Sequence, residues 1–382
     1  MVQEINIYFP RKLVIGKGSI EKLPDEIMAS GCEKVLIITI TPLLNTIDRL
    51  VQKLEENGIS AQVHTGIVQE PSFADVENIM KQAAPFNPDL VAGIGGGSVL
   101  DVAKLIAALL DNEQSLRDIA GIGLLKQRRK QLICAPATSG TGSEASPNSI
   151  LVDETDNQKK GIISPFLVPD VVYVDPLLTL SVPASITAAT GIDALTHCIE
   201  AYTNKFSHPF IDMYALEGTR LISAHIVKAV KDGHDENARE QVATGSLLGG
   251  ICLGPVNTAG VHALAYPLGS MFHLAHGLSN ALLLPYVMEF NLPASPCRYA
   301  QVATALGCTA GENDKATAEK GIAKIRSLIK ECGLPGGLRE AGITQEAIPE
   351  MAKDAMKITR LLKNNPRTIT EEDAIAIYNA AF

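Results

Sequence analysis

An aspartate and a group of histidines in the C-terminal half have the types and spacing of metal ligands. Asp193 and His197 are four positions apart in a strongly helical stretch, so their side chains lie on one face about one turn apart. Such a pair can reach one divalent ion, although an i,i+4 hydrogen bond is the simpler interpretation of the pair alone. His262 lies among Ala and Leu, where an unpaired imidazole is costly, and His273 and His276 follow after a Gly-Ser break. One carboxylate and three imidazoles together favour a metal site that still admits a substrate oxygen.

Two glycine-rich segments of the N-terminal half are suited to a nucleotide phosphate. Residues 95–98, Gly-Gly-Gly-Ser, join a strand predicted over 90–94 to a helix that begins near Val99. Backbone amides and the positive end of the helix dipole favour a diphosphate there. The segment is not a true G-x-G-x-x-G and follows the third predicted strand rather than the first, so a tight corner is the alternative. A second loop over 137–144 also follows a predicted strand, and two such loops in one sheet favour a nucleotide.

The elements that position these groups follow two patterns, one in each half of the chain. In the first half, short β-branched runs alternate with helical patterns, which predicts an open, doubly wound parallel sheet. We predict strands over 34–39, 60–64, 90–94, 131–135 and 171–174. We predict helices between them over 43–56, 72–83 and 99–110.

After Asp175-Pro176 the strand-like runs disappear and long helical patterns follow. We predict helices over 186–202, 210–231, 236–253, 257–268, 280–291, 298–306, 315–332, 344–354 and 371–381. We therefore expect two domains, an α/β dinucleotide-binding domain over 1–180 and an all-α metal-binding and substrate domain over 181–382.

The composition excludes several classes of partner. The 33 Lys and Arg residues against 42 Asp and Glu give a formal net charge of -9, which is unsuited to binding a nucleic-acid backbone. No apolar run approaches the roughly 18 residues that span a bilayer, so we expect no membrane partner. Seven scattered cysteines without a C-x-x-C pair, and an N-terminus unlike a secretory signal, predict reduced thiols and a cytoplasmic protein.

Three motifs resemble the iron-containing, or group III, alcohol dehydrogenases. They are Gly-Gly-Gly-Ser-Val-Leu-Asp-Val-Ala-Lys at 95–104, Gly-Ile-Asp-Ala-Leu-Thr-His-Cys-Ile-Glu-Ala-Tyr at 191–202, and the stretch over 261–281 that begins Val-His-Ala-Leu-Ala-Tyr-Pro-Leu-Gly. The resemblance extends essentially from end to end, from Phe9 to Arg367. It implies a dehydroquinate synthase-like fold, in which a dinucleotide-binding α/β domain precedes a helical domain and the active site lies in the cleft between them.

The resemblance also implies roles for residues at matching positions. The implied metal ligands, for ferrous iron or in some relatives zinc, are Asp193, His197, His262 and His276. The implied contacts of the cofactor diphosphate are Gly95, Gly96, Gly97 and Ser98. The residues that would border the nicotinamide nucleotide, NAD or NADP, are Asp101, Thr138, Thr141 and Lys159.

The activity that the resemblance implies is reversible hydride transfer between nicotinamide C4 and a small primary alcohol or aldehyde. A divalent cation stabilises an alkoxide and polarises an aldehyde carbonyl, which suits this chemistry. Two alternatives share the scaffold: a hydroxyacid-oxoacid transhydrogenase with a tightly held nicotinamide, and a dehydroquinate synthase-like lyase, which needs a basic cluster that the ligand motifs lack. A non-enzymatic nucleotide-binding protein would require the ligand set to be accidental. Oligomers are usual among relatives, so we expect a homodimer or a higher homo-oligomer.

The residue that relays the alcohol proton is one point at which the chain departs from its relatives. Many relatives have a second histidine where this chain has Tyr266, one helical turn after His262. A phenol with a reference pKa of about 10 can pass a proton through its hydroxyl but is a poor base at neutral pH. His273 is the alternative relay, and we expect one of the two to serve.

Two further departures concern specificity. Many NAD-using relatives have an acid at the position of Ile40, where it accepts hydrogen bonds from the adenosine ribose and repels a 2′-phosphate. Its absence leaves both NAD and NADP open, because no Arg or Lys lies nearby in sequence to bind a phosphate. The segment over 252–257 also differs from close relatives, which predicts a pocket suited to a short functionalised aldehyde.

Overall fold

The computed structural model describes residues 4–67, 70–155 and 158–382, and these residues form two compact units. The first, the α/β unit, contains Tyr8–Thr138 and Gly142–Ser181. The second, the helical unit, contains Val182–Phe382 together with Ser139–Thr141 and the described residues before Tyr8. The main division of the chain thus falls between residues 181 and 182, where the sequence analysis placed it between 180 and 181.

Parallel strands form the main sheet of the α/β unit. In chain order, the strands of this unit are β1 Lys12–Ile15, β2 Lys34–Ile38, β3 Ser60–His64, β4 Leu90–Gly95, β5 Gly121–Ile122, β6 Gln131–Pro136, β7 Asn148–Asp153, β8 Gln158–Ile163 and β9 Val171–Val174. The main sheet has the order β1-β9-β6-β4-β2-β3, and all of its pairings are parallel. A smaller sheet has the order β5-β8-β7, with β7 antiparallel to β8.

The helices of this unit are α1 Leu23–Ala29, α2 Leu44–Glu56, α3 Phe73–Ala83 and α4 Gly97–Leu109. Every residue of β4 is buried, and so is every residue of β2 after Lys34. Continuous aliphatic runs of this kind are typical of parallel strands that are covered on both faces. Helix α2 contributes Ile47, Leu50 and Leu54 to the core beside these strands, which is the amphipathic spacing that the sequence shows.

The predicted parallel sheet is confirmed, but four further strands, β1, β5, β7 and β8, were not predicted. Because β1 precedes the strands that were predicted, the glycine-rich turn follows the fourth strand and not the third. β1 is a sheet edge whose residues are mostly exposed, so it lacks the buried run by which the other strands were recognised. Residues in β7 alternate between half-buried and buried, which is a weaker signal than a continuous apolar run.

Helices make up the regular structure of the described part of the helical unit. They are α5 Ala184–Thr203, α6 Pro209–Lys231, α7 Glu236–Leu253, α8 Gly260–Phe272, α9 His276–Asn291, α10 Pro296–Ala305, α11 Asp314–Glu331, α12 Ile348–Ala355, α13 Thr359–Leu362 and α14 Glu371–Ala381. The predicted helical domain is therefore confirmed, with α13 as an addition. In the described residues we find no helix with the length and apolar character that crossing a membrane requires.

The boundary between α8 and α9 differs from the prediction. Helix α8 continues through the Gly-Ser pair at 269–270 and ends at Phe272, and the next residue, His273, has a left-handed backbone with φ of 55°. The amide of Leu274 donates to the carbonyl of Leu268 at 3.2 Å, which closes the helix end in a Schellman-like turn. Helix α9 then begins at His276, one turn before the predicted start at 280, so His276 is a helical residue and not a loop residue.

Two glycines, one on α6 and one on α9, allow these helices to pack closely against α5. A Cβ on Gly218 of α6 would lie 2.5 Å from the Cys198 sulfur on α5. A Cβ on Gly277 of α9 would lie 2.3 Å from the Ala189 carbonyl oxygen and 3.2 Å from the Cβ of Asp193. Because a larger residue would clash, Gly218 allows α6 to pack against the Cys198 side chain of α5, and Gly277 allows α9 to contact the α5 backbone directly.

Candidate metal centre

The ligand atoms of Asp193, His197, His262 and His276 converge in the helical unit. All four lie within 4.8 Å of one another. The Asp193 carboxylate is central, because its Oδ1 lies 3.5 Å from Nε2 of His262 and 3.8 Å from Nε2 of both His197 and His276. The structure thus brings together the whole set that the resemblance implied.

Three helices supply these side chains. Asp193 and His197 come from one face of α5, His262 from α8 and His276 from the first turn of α9. The close approach at Gly277 places that first turn against α5, which is what allows the imidazole of His276 to reach Asp193. Three of the side chains are at most 5% exposed, whereas that of His276 is 34% exposed. The cluster is therefore open to solvent on its His276 side.

Burial and mutual charge set the proton affinities in this cluster. Burial acts to raise the pKa of Asp193, but the charges of the surrounding imidazoles outweigh it and hold that pKa below its ordinary value. Burial lowers the pKa of His197, which the charge of Asp193 opposes only in part. Burial also acts to lower the pKa of His262, but the charges and hydrogen bonds of Glu200 and Asp193 together outweigh it and raise the pKa to about 9. An ionised carboxylate among imidazoles is the donor set that a divalent first-row ion prefers.

The residues present fit such an ion. Nε2 of His262 is buried and has no hydrogen-bond partner in the described structure, although it faces the other three donors. A buried ring nitrogen without a partner is unfavourable unless a ligand completes it. A divalent ion would satisfy this nitrogen together with the Asp193 charge.

Glu200 is a functional residue that the sequence analysis did not single out. Its Oε2 accepts hydrogen bonds from Nδ1 of His262 at 2.6 Å and from the amide of Ala259 at 3.0 Å, and its Oε1 accepts from the amide of Val261 at 2.6 Å. With a pKa of about 9, His262 also keeps a proton on Nε2 near neutral pH, and a bound ion would displace that proton while the Nδ1 proton stays hydrogen-bonded to Glu200. The available signal was a glutamate in the apolar part of α5, one turn after His197.

Asn280 is the second residue that was missed. It is fully buried on α9, one turn after His276, and its Nδ2 donates to Oδ1 of Asp193 at 2.7 Å. The same amide lies 3.3 Å from Nε2 of His276. Because the helix was predicted to begin at Asn280, its i,i+4 relation to His276 was not recognised.

The two candidate proton relays lie in different surroundings. Tyr266 is half-buried on α8, one turn after His262, and its ring centroid is 6.4 Å from that of His276. Its hydroxyl accepts a hydrogen bond from Nη2 of Arg360 at 3.1 Å. His273 is exposed at the end of α8, and in the described structure its side chain has no hydrogen bond, ion pair or ring contact. Of the two, Tyr266 is the one beside the cluster.

The predicted diphosphate segment lies between β4 and α4. Gly96 precedes the helix, and no side chain caps the amides of its first turn. A Cβ on Gly95 would lie 2.7 Å from the Val99 side chain, and one on Gly96 would lie 3.5 Å from the Thr138 side chain. Thr138 follows β6, which pairs with β4, so the structure places it beside Gly96. Ser98 is in the first turn of α4.

The other predicted cofactor residues have protein partners. The carboxylate of Asp101 accepts hydrogen bonds from Oγ of Ser143 at 2.5 Å and from the amide of Ile150 at 2.9 Å. Lys159, on β8, forms an ion pair with Glu70 at 2.5 Å. Thr141 belongs to the short segment that groups with the helical unit.

A buried charged group beside Asp101 was also missed. Lys104 is fully buried, and its Nζ donates to the carbonyls of Ser146 at 2.9 Å and Asn148 at 2.8 Å. Burial raises the pKa of Glu144 to about 7, and the charge of Lys104 only partly offsets this effect. Burial lowers the pKa of Lys104, against the charges of Asp101 and Glu144. These contacts fix the loop that follows β6.

Comparisons with known proteins match the whole chain. Residues 10–176 match the family described as iron-containing alcohol dehydrogenase, and residues 187–382 match the C-terminal part of the Fe-containing alcohol dehydrogenase family. The chain is 40% identical to long-chain-alcohol dehydrogenase 1 of Geobacillus thermodenitrificans, over 98% of this chain and 96% of that protein. It is 33% identical to 1,3-propanediol dehydrogenase of Klebsiella pneumoniae, over 98% and 97% respectively.

The same relationship holds in three dimensions. The crystal structure of a 1,3-propanediol oxidoreductase superposes with a TM-score of 0.95 at 33% identity, and the match covers 100% of both chains. Sequence identity of 33–40% over nearly the whole chain shows membership of the family, and not only a common fold. The chain belongs to the iron-containing alcohol dehydrogenase family.

Proposed function

We propose that this protein is a metal-dependent, NAD(P)-linked alcohol dehydrogenase and aldehyde reductase that acts on small primary alcohols and short functionalised aldehydes. The observation that supports it is the convergence of one carboxylate and three imidazoles within 4.8 Å, in a chain that belongs to a family of such oxidoreductases. The proposed ligands are Asp193, His197, His262 and His276.

Two of the proposed ligands, His262 and Asp193, have partners that orient them for this role. Ferrous iron or zinc would supply a Lewis acid at these four groups, and NAD or NADP would donate or accept the hydride. Glu200 holds the Nδ1 proton of His262 in a hydrogen bond, so Nε2 is the nitrogen that would bind the ion. Asn280 donates to Asp193 and fixes the plane of its carboxylate. Burial of the cluster excludes bulk water except on the His276 side.

Proton transfer is assigned to Tyr266 in preference to His273. In aldehyde reduction the product oxygen gains a proton, and in alcohol oxidation it loses one, so a group with an exchangeable proton must lie beside the site. The Tyr266 hydroxyl is such a group, next to His276 on the open side of the cluster. The hydrogen bond from Arg360 fixes its position.

The α/β unit supplies the proposed nucleotide site. The uncapped first turn of α4, with Gly95, Gly96, Gly97 and Ser98, is suited to a diphosphate. Thr138, beside Gly96, would border the nucleotide, and we assign the same role to Asp101, Thr141 and Lys159 on the resemblance. Ile40 follows β2 without an acid that would exclude a 2′-phosphate, so both NAD and NADP are admitted.

Location and assembly are proposed on separate observations. The seven cysteines are all free, which supports a reducing compartment such as the cytoplasm. The edge strand β1 exposes Leu13 and Ile15, which supports a homodimer or a higher homo-oligomer.

The proposed function is tested by an assay of anaerobically iron-loaded enzyme with a panel of short aldehydes, with NADH and NADPH in parallel. We expect aldehyde-dependent oxidation of at least one coenzyme, and its loss on chelation and in Asp193→Asn and His262→Ala. Elemental analysis would measure the bound iron, which we expect in the wild type and not in these two variants. Hydride exchange between two organic substrates without added coenzyme would instead identify a transhydrogenase. Full activity in metal-free enzyme would contradict the proposal.

A further inference from the structure

One arginine near the metal cluster has no carboxylate partner. Arg360 is half-buried in α13, and its Nη2 donates to the hydroxyl of Tyr266 at 3.1 Å. Within the residues that the structure describes, this is the only hydrogen bond of the guanidinium, and it forms no ion pair. A guanidinium has five N–H donors, so most of its donor capacity is unused by the protein.

Three other arginines of the helical unit pair with carboxylates: Arg220 with Glu217, Arg298 with Asp212, and Arg326 with Glu289. The buried Arg239 has no carboxylate, but its guanidinium donates to two backbone carbonyls and to the Thr187 hydroxyl, which replace its hydration. A half-buried cation without a counter-charge is unfavourable, because burial removes part of its hydration and nothing replaces it. The position of Arg360 therefore calls for an anion that the chain itself does not provide.

Arg360 also lies where a substrate must approach. Of the four proposed ligands, His276 alone has a side chain that is substantially exposed, at 34%. The ring of Tyr266 is 6.4 Å from the ring of His276, and Arg360 is hydrogen-bonded to the far end of that tyrosine. The open side of the cluster is thus bordered by a phenol and, next to it, a guanidinium.

We propose that Arg360 binds an anionic group at the far end of a short aldehyde substrate, a carboxylate or a sulfonate. The inference rests on the proposed function and specifies its substrate class. The aldehyde carbonyl would be reduced at the metal cluster, while the oxyanion at the other end of the molecule pairs with the guanidinium, for which planar oxyanions are the preferred partners. In the reaction the carbonyl carbon gains a hydride from the nicotinamide and its oxygen gains a proton, and no bond to the anionic group changes.

The test compares two anionic aldehydes with a neutral one; succinate semialdehyde and butanal have carbon chains of equal length, and sulfoacetaldehyde has a shorter one. Iron-loaded wild-type enzyme would be assayed with succinate semialdehyde, sulfoacetaldehyde and butanal, and the ratio of kcat/KM for each anionic substrate to that for butanal would be measured. Because a hydrogen bond to a charged group is worth about 1.5–3 kcal/mol, Arg360→Gln should lower this ratio roughly 10- to 100-fold. The loss should fall mainly on KM. Arg360→Lys, which keeps the charge, should restore part of the ratio.

Lys357→Gln is the matched control. Lys357 is an exposed cation just before α13 that already pairs with Asp354, so its loss should leave the ratio unchanged. Calorimetric titration of the iron-loaded enzyme with 4-hydroxybutyrate and with 1-butanol provides a readout that does not depend on turnover. Arg360→Gln should weaken binding of the first far more than of the second.

The outcomes separate this inference from the proposed function. If the wild type reduces butanal but prefers neither anionic aldehyde, the role assigned to Arg360 is wrong, while the proposed dehydrogenase activity is supported. An equal loss on charged and neutral substrates in Arg360→Gln would give Arg360 a structural role through Tyr266 and would overturn the inference. If no aldehyde is reduced, the proposed function itself fails.

Discussion

At the scale of single residues, the cluster depends on groups that never touch the proposed ion. Glu200 accepts three hydrogen bonds, from the ring of His262 and from the backbone amides of Ala259 and Val261 at the start of α8. One carboxylate thus fixes both the start of a helix and the ring of a ligand on that helix. Such a partner raises the basicity of the imidazole and prevents rotation of its ring.

Replacing Glu200 by Gln should therefore weaken metal binding while leaving all four ligands in place. The amide of Gln keeps one acceptor but loses the charge, so we expect iron affinity to fall about 10- to 100-fold. Competition with a chelator, followed by elemental analysis, measures the effect. Glu217→Gln, an exposed carboxylate on α6, is the control and should bind iron as the wild type does. Equal retention of iron by both variants would contradict the role of Glu200.

The proton relay makes a second prediction at this scale. Tyr266→Phe removes one hydroxyl and keeps the ring that packs near His276, so iron content should not change. General acid–base assistance is worth about 100-fold or more, and we expect kcat to fall by that order. The same rate measurements on His273→Ala decide between the two candidates. A large loss in His273→Ala together with full activity in Tyr266→Phe would reverse the assignment.

At the scale of elements, local spacing predicted some of this site and long-range packing determined the rest. The i,i+4 relation of Asp193 and His197 is visible in the sequence because both belong to one helix. The choice between His273 and His276 is not, since it depends on where α8 ends, and that end is set by a left-handed residue. Glu200 and His262 are 62 positions apart, and Arg360 and Tyr266 are 94 apart, so no local pattern joins them.

The same contrast applies to the strands. The strands with continuous aliphatic runs were predicted closely, because a strand that is buried on both faces has apolar residues at successive positions. β8 was missed because half of its residues are polar, and the edge strand β1 was missed because its apolar run is only three residues long. The buried Lys104 was missed because its partners are backbone carbonyls more than 40 positions away, and no residue type in the sequence marks a carbonyl as the acceptor of a buried lysine.

The loop after β6 allows a prediction on stability. Burial raises the pKa of Glu144 to about 7 from its ordinary value of 4.5, so between these values the folded chain binds more protons than the unfolded chain. The free energy of unfolding should then fall as the pH rises through this window, by on the order of 2–3 kcal/mol for this group. Glu144→Gln removes the titrating carboxyl, so its Tm relative to the wild type should be higher at pH 8 than at pH 5.

Thermal unfolding of both proteins at a series of pH values measures this difference. Glu113→Gln, at an exposed position in the same unit, serves as the control and should show a Tm difference that does not depend on pH in this way. A Glu144→Gln variant whose Tm runs parallel to that of the wild type from pH 5 to 8 would show that this carboxyl does not titrate in that range.

At the scale of the whole molecule, the edge strand β1 of the main sheet exposes apolar side chains that another copy of the chain could bury. Among the strands of the described residues, β1 has a neighbour, β9, on one side only, and its Leu13 and Ile15 are 38% and 46% exposed. Tyr8 and Phe9, which precede it, are 49% and 46% exposed. An edge with free backbone donors and several large apolar side chains is prone to pair with another strand.

A second copy of this strand is the expected partner, because a two-fold axis lets the same edge serve both subunits and closes the assembly. We expect a dimer or a larger assembly of dimers in light scattering at micromolar concentration. Ile15→Lys places a charge in that contact and should shift the mass toward the monomer. Ile122→Lys, at a 67% exposed position on β5, adds the same charge elsewhere in the α/β unit and should leave the mass unchanged. A monomeric wild type, or an Ile15→Lys variant with the wild-type mass, would mean that this edge is not the contact between copies.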